Sequence, residues 1–227
     1  MPPEKENLLE EAIKTSREAD AVILIVGTNS DWETEGNDRS ELALPADQDK
    51  LIESVIKENA NTVVVINSGS PVSMPWINDS NAILQSWFGG QEYGNALADL
   101  IFGEINPSGK LPTTFPVQIE DTPAFDYYPG KNSQMNYEEK LLIGHRWYER
   151  KGKKPLFPFG FGLSFTKFSF SDLEVIKKDD LNINCKFRIK NFGEMDGHEV
   201  AQCYVAFLKA EEDEPLKTLQ SFKKVFI

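Results

Sequence analysis

Two unbroken apolar runs of strand length constrain this chain more than any other feature: Ala21-Val-Ile-Leu-Ile-Val26 and Thr62-Val-Val-Val-Ile66. Both are rich in β-branched residues and carry no polar alternation. Such runs suit strands buried on both faces, as in a parallel sheet covered by helices. A third candidate runs from Ala82 to Phe88. Around them, apolar residues recur at helical spacing: Leu8, Leu9, Ala12 and Ile13, then Leu51, Ile52, Val55 and Ile56, then Ala96, Leu97, Leu100 and Ile101. Each set lines one face of a helix. This rhythm predicts an α/β fold over residues 1–160, a three-layer sandwich with a mainly parallel sheet. Gly103 stands where it would cap the third helix, before a turn at Asn106-Pro107-Ser108-Gly109.

From Pro112 to Pro158 the periodicity fades into a proline-punctuated, aromatic-rich arm. Period-2 alternation follows over 165–176 and 181–190, with Phe168, Phe170, Ile183, Cys185, Phe187 and Ile189 on alternate positions. It resumes at Val200, Gln202, Tyr204, Ala206 and Leu208, beyond a turn between Gly193 and Gly197. Residues 161–227 therefore read as an all-β sandwich. A seven-stranded sandwich needs ~100 residues, so this second domain is expected to be truncated, with Phe222–Ile227 as its last strand.

The formal charge is −12 with a pI near 4.7, which argues against nucleic acid or an anionic membrane surface as partner. No apolar run approaches the ~20 residues that span a bilayer. The charged start, Met1-Pro2-Pro3-Glu4, has no apolar core of a signal peptide. Cys185 and Cys203, like His145 and His198, lie too far apart in sequence for a disulfide framework or a zinc site. Neither a metal nor a cofactor is expected.

The segment from Gly27 to Pro45 stands out as the candidate for chemistry. It leaves the C-terminal end of the first strand, where open α/β sheets bind ligands, and it is long for a βα loop. It holds five carboxylates, Asp31, Glu33, Glu35, Asp38 and Glu41, with one cation, Arg39. Trp32 offers an aromatic face of the kind that stacks on a sugar ring. Crowded carboxylates beside an aromatic wall would raise one pKa, as a general acid at neutral pH requires. Composition alone favours a solvated acidic loop held in shape by Arg39 pairing with Asp38 or Glu41.

Other motifs carry less. Gly89-Gly90-Gln-Glu-Tyr-Gly94 lacks the spacing of a nucleotide-binding loop and reads as a strand-to-helix turn. Ser70 and Ser164 lack a Gly-x-Ser-x-Gly setting and a histidine partner, which disfavours a serine hydrolase. A magnesium-binding receiver site would need a second acidic strand end and a lysine strand end, and Val65-Ile66-Asn67 supplies neither. His145 reads as a packed histidine rather than a ligand. Asn78-Asp79-Ser80 matches the glycosylation sequon.

Together these segments resemble the C-terminal half of family 3 glycoside hydrolases, the β-glucosidase family. The resemblance runs from Ala19 to Ile227. Ala19-Asp20 with the strand to Thr28 is similar to the family's opening strand, and Glu35-Gly36-x-Asp38-Arg39 with Leu42-x-Leu44-Pro45 resembles its acid/base loop. Trp87-Phe-Gly-Gly-Gln-Glu-Tyr-Gly94, continuing through Gly103 into Asn106-Pro-Ser-Gly-Lys-Leu-Pro112, is its most diagnostic run. Pro155-Leu-Phe-Pro-Phe-Gly-Phe-Gly-Leu-Ser-Phe-Thr166 resembles the junction into a fibronectin type III-like domain.

The resemblance implies a retaining β-glucosidase-like hydrolase in which an N-terminal barrel supplies the nucleophilic aspartate and this region lends the general acid/base. Glu35 matches that glutamate, with Glu33 in reserve. Asp38 and Arg39 are expected to shape the loop, and Trp32 to line the substrate. The partners so implied are a terminal β-glycoside or oligosaccharide and the barrel of the same enzyme. The isolated chain is expected to be inactive, since retention needs two carboxyl groups ~5–5.5 Å apart. The alternative is a non-catalytic sugar-binding or interaction module.

Overall fold

The structure is a computed structural model that describes residues 5–227; the charged start, residues 1–4, lies outside the described residues. The chain forms two compact units. One comprises the residues up to Glu92 with Phe115–Glu138 and Pro155–Phe157; the other comprises Tyr93–Thr114, Glu139–Lys154 and Pro158–Ile227.

The first unit is built on a parallel sheet of order β1-β2-β3, with β1 at Val22–Gly27, β2 at Thr62–Asn67 and β3 at Ala82–Gln85. Helices α1 (Lys5–Glu18) and α2 (Gln48–Glu58) pack on each other. Helix α2 buries Ile52, Val55 and Ile56, the face its apolar spacing predicts. Asp49 in its first turn and Lys57 in its last both suit the helix dipole. Asn59 ends α2 in an extended conformation and ties the corner together. Its amide donates to the carbonyls of Ser16 (2.9 Å) and Ala19 (2.7 Å), so the end of α1 is fixed against the end of α2.

Strand β2 is central, and Val64, Val65 and Ile66 are all 0% exposed. Strand β1 corrects the expectation of burial on both faces. Val26 is buried, but Ile23 and Ile25 are 47% and 57% exposed. Position in the sheet is the reason: β1 is an edge strand, and alternate side chains point to opposite faces. Strand β3 is shorter than its apolar run. Ser86 turns both its N–H and its hydroxyl onto the Ile66 carbonyl, and Trp87 adopts φ +57°, which takes the chain out of the strand. The Trp87 ring then meets Phe115 edge-on at 6.0 Å, and Phe115 meets Phe157 at 6.2 Å.

In the second unit, helices α3 (Tyr93–Ile101) and α4 (His145–Lys151) precede four strands. These are β4 (Phe168–Lys177), β5 (Ile183–Asn191), β6 (His198–Ala206) and β7 (Lys217–Phe226). They pair as two antiparallel sheets, β4 with β5 and β6 with β7. The last strand begins five residues earlier than its sequence pattern suggests, because its register with β6 extends back to Lys217 opposite Ala206. Asn106 organises this unit. Its carbonyl oxygen accepts from the Ser164 hydroxyl (2.7 Å) and the Phe165 N–H (2.9 Å), and its amide donates to the Asp196 carbonyl (3.3 Å). Lys110 adds a bond to the Gly162 carbonyl (2.8 Å) and an ion pair with Glu199 (3.0 Å). His145 is packed as expected, stacked on Phe159 at 4.6 Å, and burial lowers its pKa. Cys185 on β5 and Cys203 on β6, distant in sequence, lie near enough for the Cys185 thiol to help raise the pKa of Cys203.

Candidate active-site loop

The loop after β1 leaves the sheet from a fixed point. The Gln48 side-chain amide pairs with both backbone groups of Gly27: it accepts from the N–H at 2.8 Å and donates to the carbonyl at 2.9 Å. Asn29 then begins the turn, its side-chain oxygen accepting from the N–H groups of Asp31 (3.0 Å) and Trp32 (3.1 Å). An asparagine in this role reproduces a backbone turn with its own side chain. At the far end, the Leu42 carbonyl accepts from the Ser73 N–H (2.8 Å) and Leu44 is buried.

The tip is a tight turn closed by a bridge between Thr34 and Asn37. Gly36 sits there at φ +83°, in the left-handed region that a side chain disfavours. Glu35 precedes it and is exposed. Among the described residues it has no hydrogen-bond or ion-pair partner.

Glu33 is the opposite case. Its Oε2 accepts from the Gly69 N–H (2.9 Å), and its Oε1 accepts from the Ser70 hydroxyl (2.9 Å) and lies 3.6 Å from Arg39 Nη1. Arg39 in turn donates to Ser70 Oγ (2.7 Å) and to the Pro71 carbonyl (3.4 Å). The two side chains are 15% and 14% exposed, so their charges are poorly screened by water. Burial lowers the Arg39 pKa, against the opposing pull of Glu33 and Glu41. The ion pair expected between Arg39 and Asp38 or Glu41 is thus replaced by one with Glu33. The reason is geometric: Glu33 and Arg39 occupy the two arms of the turn and face the same neighbouring segment. Asp38 instead accepts a hydrogen bond from the Tyr128 hydroxyl at 2.8 Å. Trp32 is half-buried, and its indole N–H donates to the Ala43 carbonyl at 3.2 Å.

The structure therefore places Trp32, Glu33, Glu35, Asp38 and Arg39 on one loop and distinguishes them by their bonding partners. Sequence reasoning missed Gly69, Ser70 and Tyr128 as parts of it. Ser70 carried one available signal: it follows the end of β2, next to β1, and loops at the C-terminal edge of a parallel sheet meet. Among the described residues no group of three His, Cys, Asp or Glu side chains could hold a metal ion.

The class this fold defines is a parallel α/β unit followed in sequence by two paired antiparallel β-sheets. The family model for the glycosyl hydrolase family 3 C-terminal domain matches residues 4–165, and the chain belongs to that family. It is 44% identical over 225 residues to thermostable beta-glucosidase B of Acetivibrio thermocellus, covering 98% of this chain and 30% of that protein. The crystal structure of beta-glucosidase from Kluyveromyces marxianus superposes with a TM-score of 0.95 at 38% identity, over 100% of this chain and 28% of that one. The Bifidobacterium adolescentis family 3 beta-glucosidase gives 0.94 at 39% identity, over 100% of this chain and 34% of its own. The chain thus spans about three tenths of the curated relative's length.

Proposed function

We propose that this chain is the acid/base-bearing part of a retaining β-glucosidase-like hydrolase, with Glu35 as the general acid/base. The observation that carries the reading is the contrast between two glutamates two residues apart. Both oxygens of Glu33 are occupied by Gly69, Ser70 and Arg39, so it cannot give a proton to a leaving group without breaking the loop. Glu35, at the exposed apex, keeps both oxygens free for that task. In the first step Glu35 protonates the departing glycosidic oxygen while an aspartate on a separate barrel domain attacks the anomeric carbon. In the second, ionised Glu35 takes a proton from water as it displaces the aspartate. We assign residues 1–160 to the domain that carries the acid/base and 161–227 to a fibronectin type III-like domain. That division follows the sequence motifs, whereas the compact unit around β4–β7 also takes in Tyr93–Thr114 and Glu139–Lys154. Names of the similar proteins support a β-glucoside as substrate, and we take the residue cleaved to be a terminal one. Trp32, whose indole N–H donates to the Ala43 carbonyl, is assigned to line the substrate from the same loop.

Glu35→Ala in the barrel-bearing protein tests this. Glycosides with a poor leaving group should be crippled, whereas a dinitrophenyl β-glucoside should still glycosylate the enzyme. Slow deglycosylation should then give a burst, and azide, which needs no base, should restore turnover and yield the β-glycosyl azide. Rescue in Glu33→Ala but not in Glu35→Ala would transfer the role to Glu33. Rescue of neither would leave the loop as a sugar-binding or interaction surface.

A further inference from the structure

We infer that Ser70 is the positioning residue of the acid/base turn, an inference that rests on the reading of Glu35 above. Its hydroxyl is the point at which the two arms of the turn meet. Glu33 lies on the arm leading into Thr34, and Arg39 on the arm leaving Asn37. Ser70 Oγ stands 2.9 Å from Glu33 Oε1 and 2.7 Å from Arg39 Nη1. The direction of both bonds follows from the chemistry. A carboxylate has no proton to donate and a guanidinium has no lone pair to accept with, so the hydroxyl gives its proton to Glu33 and receives one from Arg39. One hydroxyl thereby uses its donor and one acceptor site to hold an anion and a cation side by side.

The neighbours of Ser70 strengthen the grip. Gly69 donates its N–H to the second oxygen of Glu33, and Pro71 offers its carbonyl to Arg39. Three consecutive residues after β2 therefore hold both feet of the turn. Ser70 is itself fixed from below: the hydroxyl of fully buried Ser68 donates to the Ser70 carbonyl at 2.9 Å. Gln85, the last residue of β3, donates its amide to Ser68 in turn, 3.2 Å from the carbonyl oxygen and 3.1 Å from the hydroxyl. The position of Glu35 is thus referred back to the ends of β2 and β3 through side-chain hydrogen bonds. A general acid is effective only within hydrogen-bond reach of the oxygen it protonates, and misplacement by about 1 Å costs roughly 10²-fold.

The test is Ser70→Ala in the barrel-bearing protein, assayed on alkyl and dinitrophenyl β-glucosides beside Glu35→Ala. A positioning role predicts that kcat/KM on the alkyl glucoside falls about 10- to 100-fold, mostly in kcat. The glycosylation step on the dinitrophenyl glucoside should change by less than about threefold, since that leaving group needs no proton. Ser70→Thr, which keeps the hydroxyl, should recover most of the loss. Equal losses on both substrates, or no loss, would overturn the inference, because a purely structural role has no dependence on leaving group. Should Ser70→Ala yield too little folded protein, Glu33→Gln must show the same dependence, and its absence overturns the inference equally. If azide rescues Glu35→Ala while Ser70→Ala shows no leaving-group effect, the positioning role alone fails. If azide rescues no Glu35 variant, the acid/base reading itself fails and this inference falls with it.

Discussion

The indole N–H of Trp76 donates to Asp49 Oδ1 at 2.8 Å, joining a side chain that is 1% exposed to the first turn of α2. Replacing Asp49 with Ala leaves the indole donor buried and unpaired. A destabilisation of about 1–3 kcal/mol is expected in chemical denaturation. Asp49→Asn, which keeps an acceptor oxygen, should retain most of the stability. Equal losses in the two variants would show that the charge near the helix N-terminus matters more than the hydrogen bond.

Val64 lies on the central strand and is fully buried. Val64→Asp places a carboxylate where neither water nor a cation is at hand, and a loss above about 4 kcal/mol is expected. Ile25→Asp, on the exposed side of edge strand β1, should cost far less. Comparing soluble, cooperatively melting protein for the two variants checks the assignment of centre and edge.

Gly69 has no room for a side chain. A Cβ there would meet Glu33 Oε2 at 2.5 Å and the Phe88 ring at 2.8 Å. Gly69→Ala should therefore displace the Glu33 carboxylate and weaken the grip on the turn. The expected result is a loss of activity with the same leaving-group dependence as Ser70→Ala. An unchanged rate would mean that Phe88 moves aside and the carboxylate keeps its place.

His145 titrates below its ordinary value, chiefly because burial disfavours the imidazolium; Glu149 pulls the other way, while Arg146 and Lys217 add to the lowering. The unfolded chain therefore binds this proton more readily than the folded one. The stability contributed is fully present above the ordinary value of 6.5 and is lost as pH falls through the lower folded value. Melting temperature should decline from pH 7 toward pH 5. In His145→Phe, which keeps the stacking on Phe159, that decline should be shallower.

Cys203 should alkylate slowly. Burial pushes its thiol up, and the neighbouring Cys185 thiol pushes it further. Because the thiolate is the nucleophile, iodoacetamide at pH 8 should modify it less than an exposed cysteine. Cys185→Ser should raise the rate, as followed by intact mass.

The α/β fold was legible because its signals are local. Runs such as Thr62–Ile66 and the spacing of Ile52, Val55 and Ile56 reflect the periods of strand and helix, which every residue obeys regardless of its surroundings. The family likewise lay open in contiguous motifs, and Glu35-Gly36-x-Asp38-Arg39 is what makes Glu35 the candidate acid/base. Tertiary structure alone decided what the neighbours of Glu35 do. Arg39 pairs with Glu33 and not with Asp38 or Glu41, because the parallel order of β1 and β2 brings the Gly69–Pro71 segment against both arms of the turn. Asp38 finds Tyr128, ninety residues away, and Cys185 finds Cys203 across two strands. The half-exposed face of β1 has the same origin, since a strand's place in a sheet depends on which other segments pair with it. Composition and periodicity carry no record of such pairings; they arise from hydrogen bonds and contacts between residues that only the folded chain brings together.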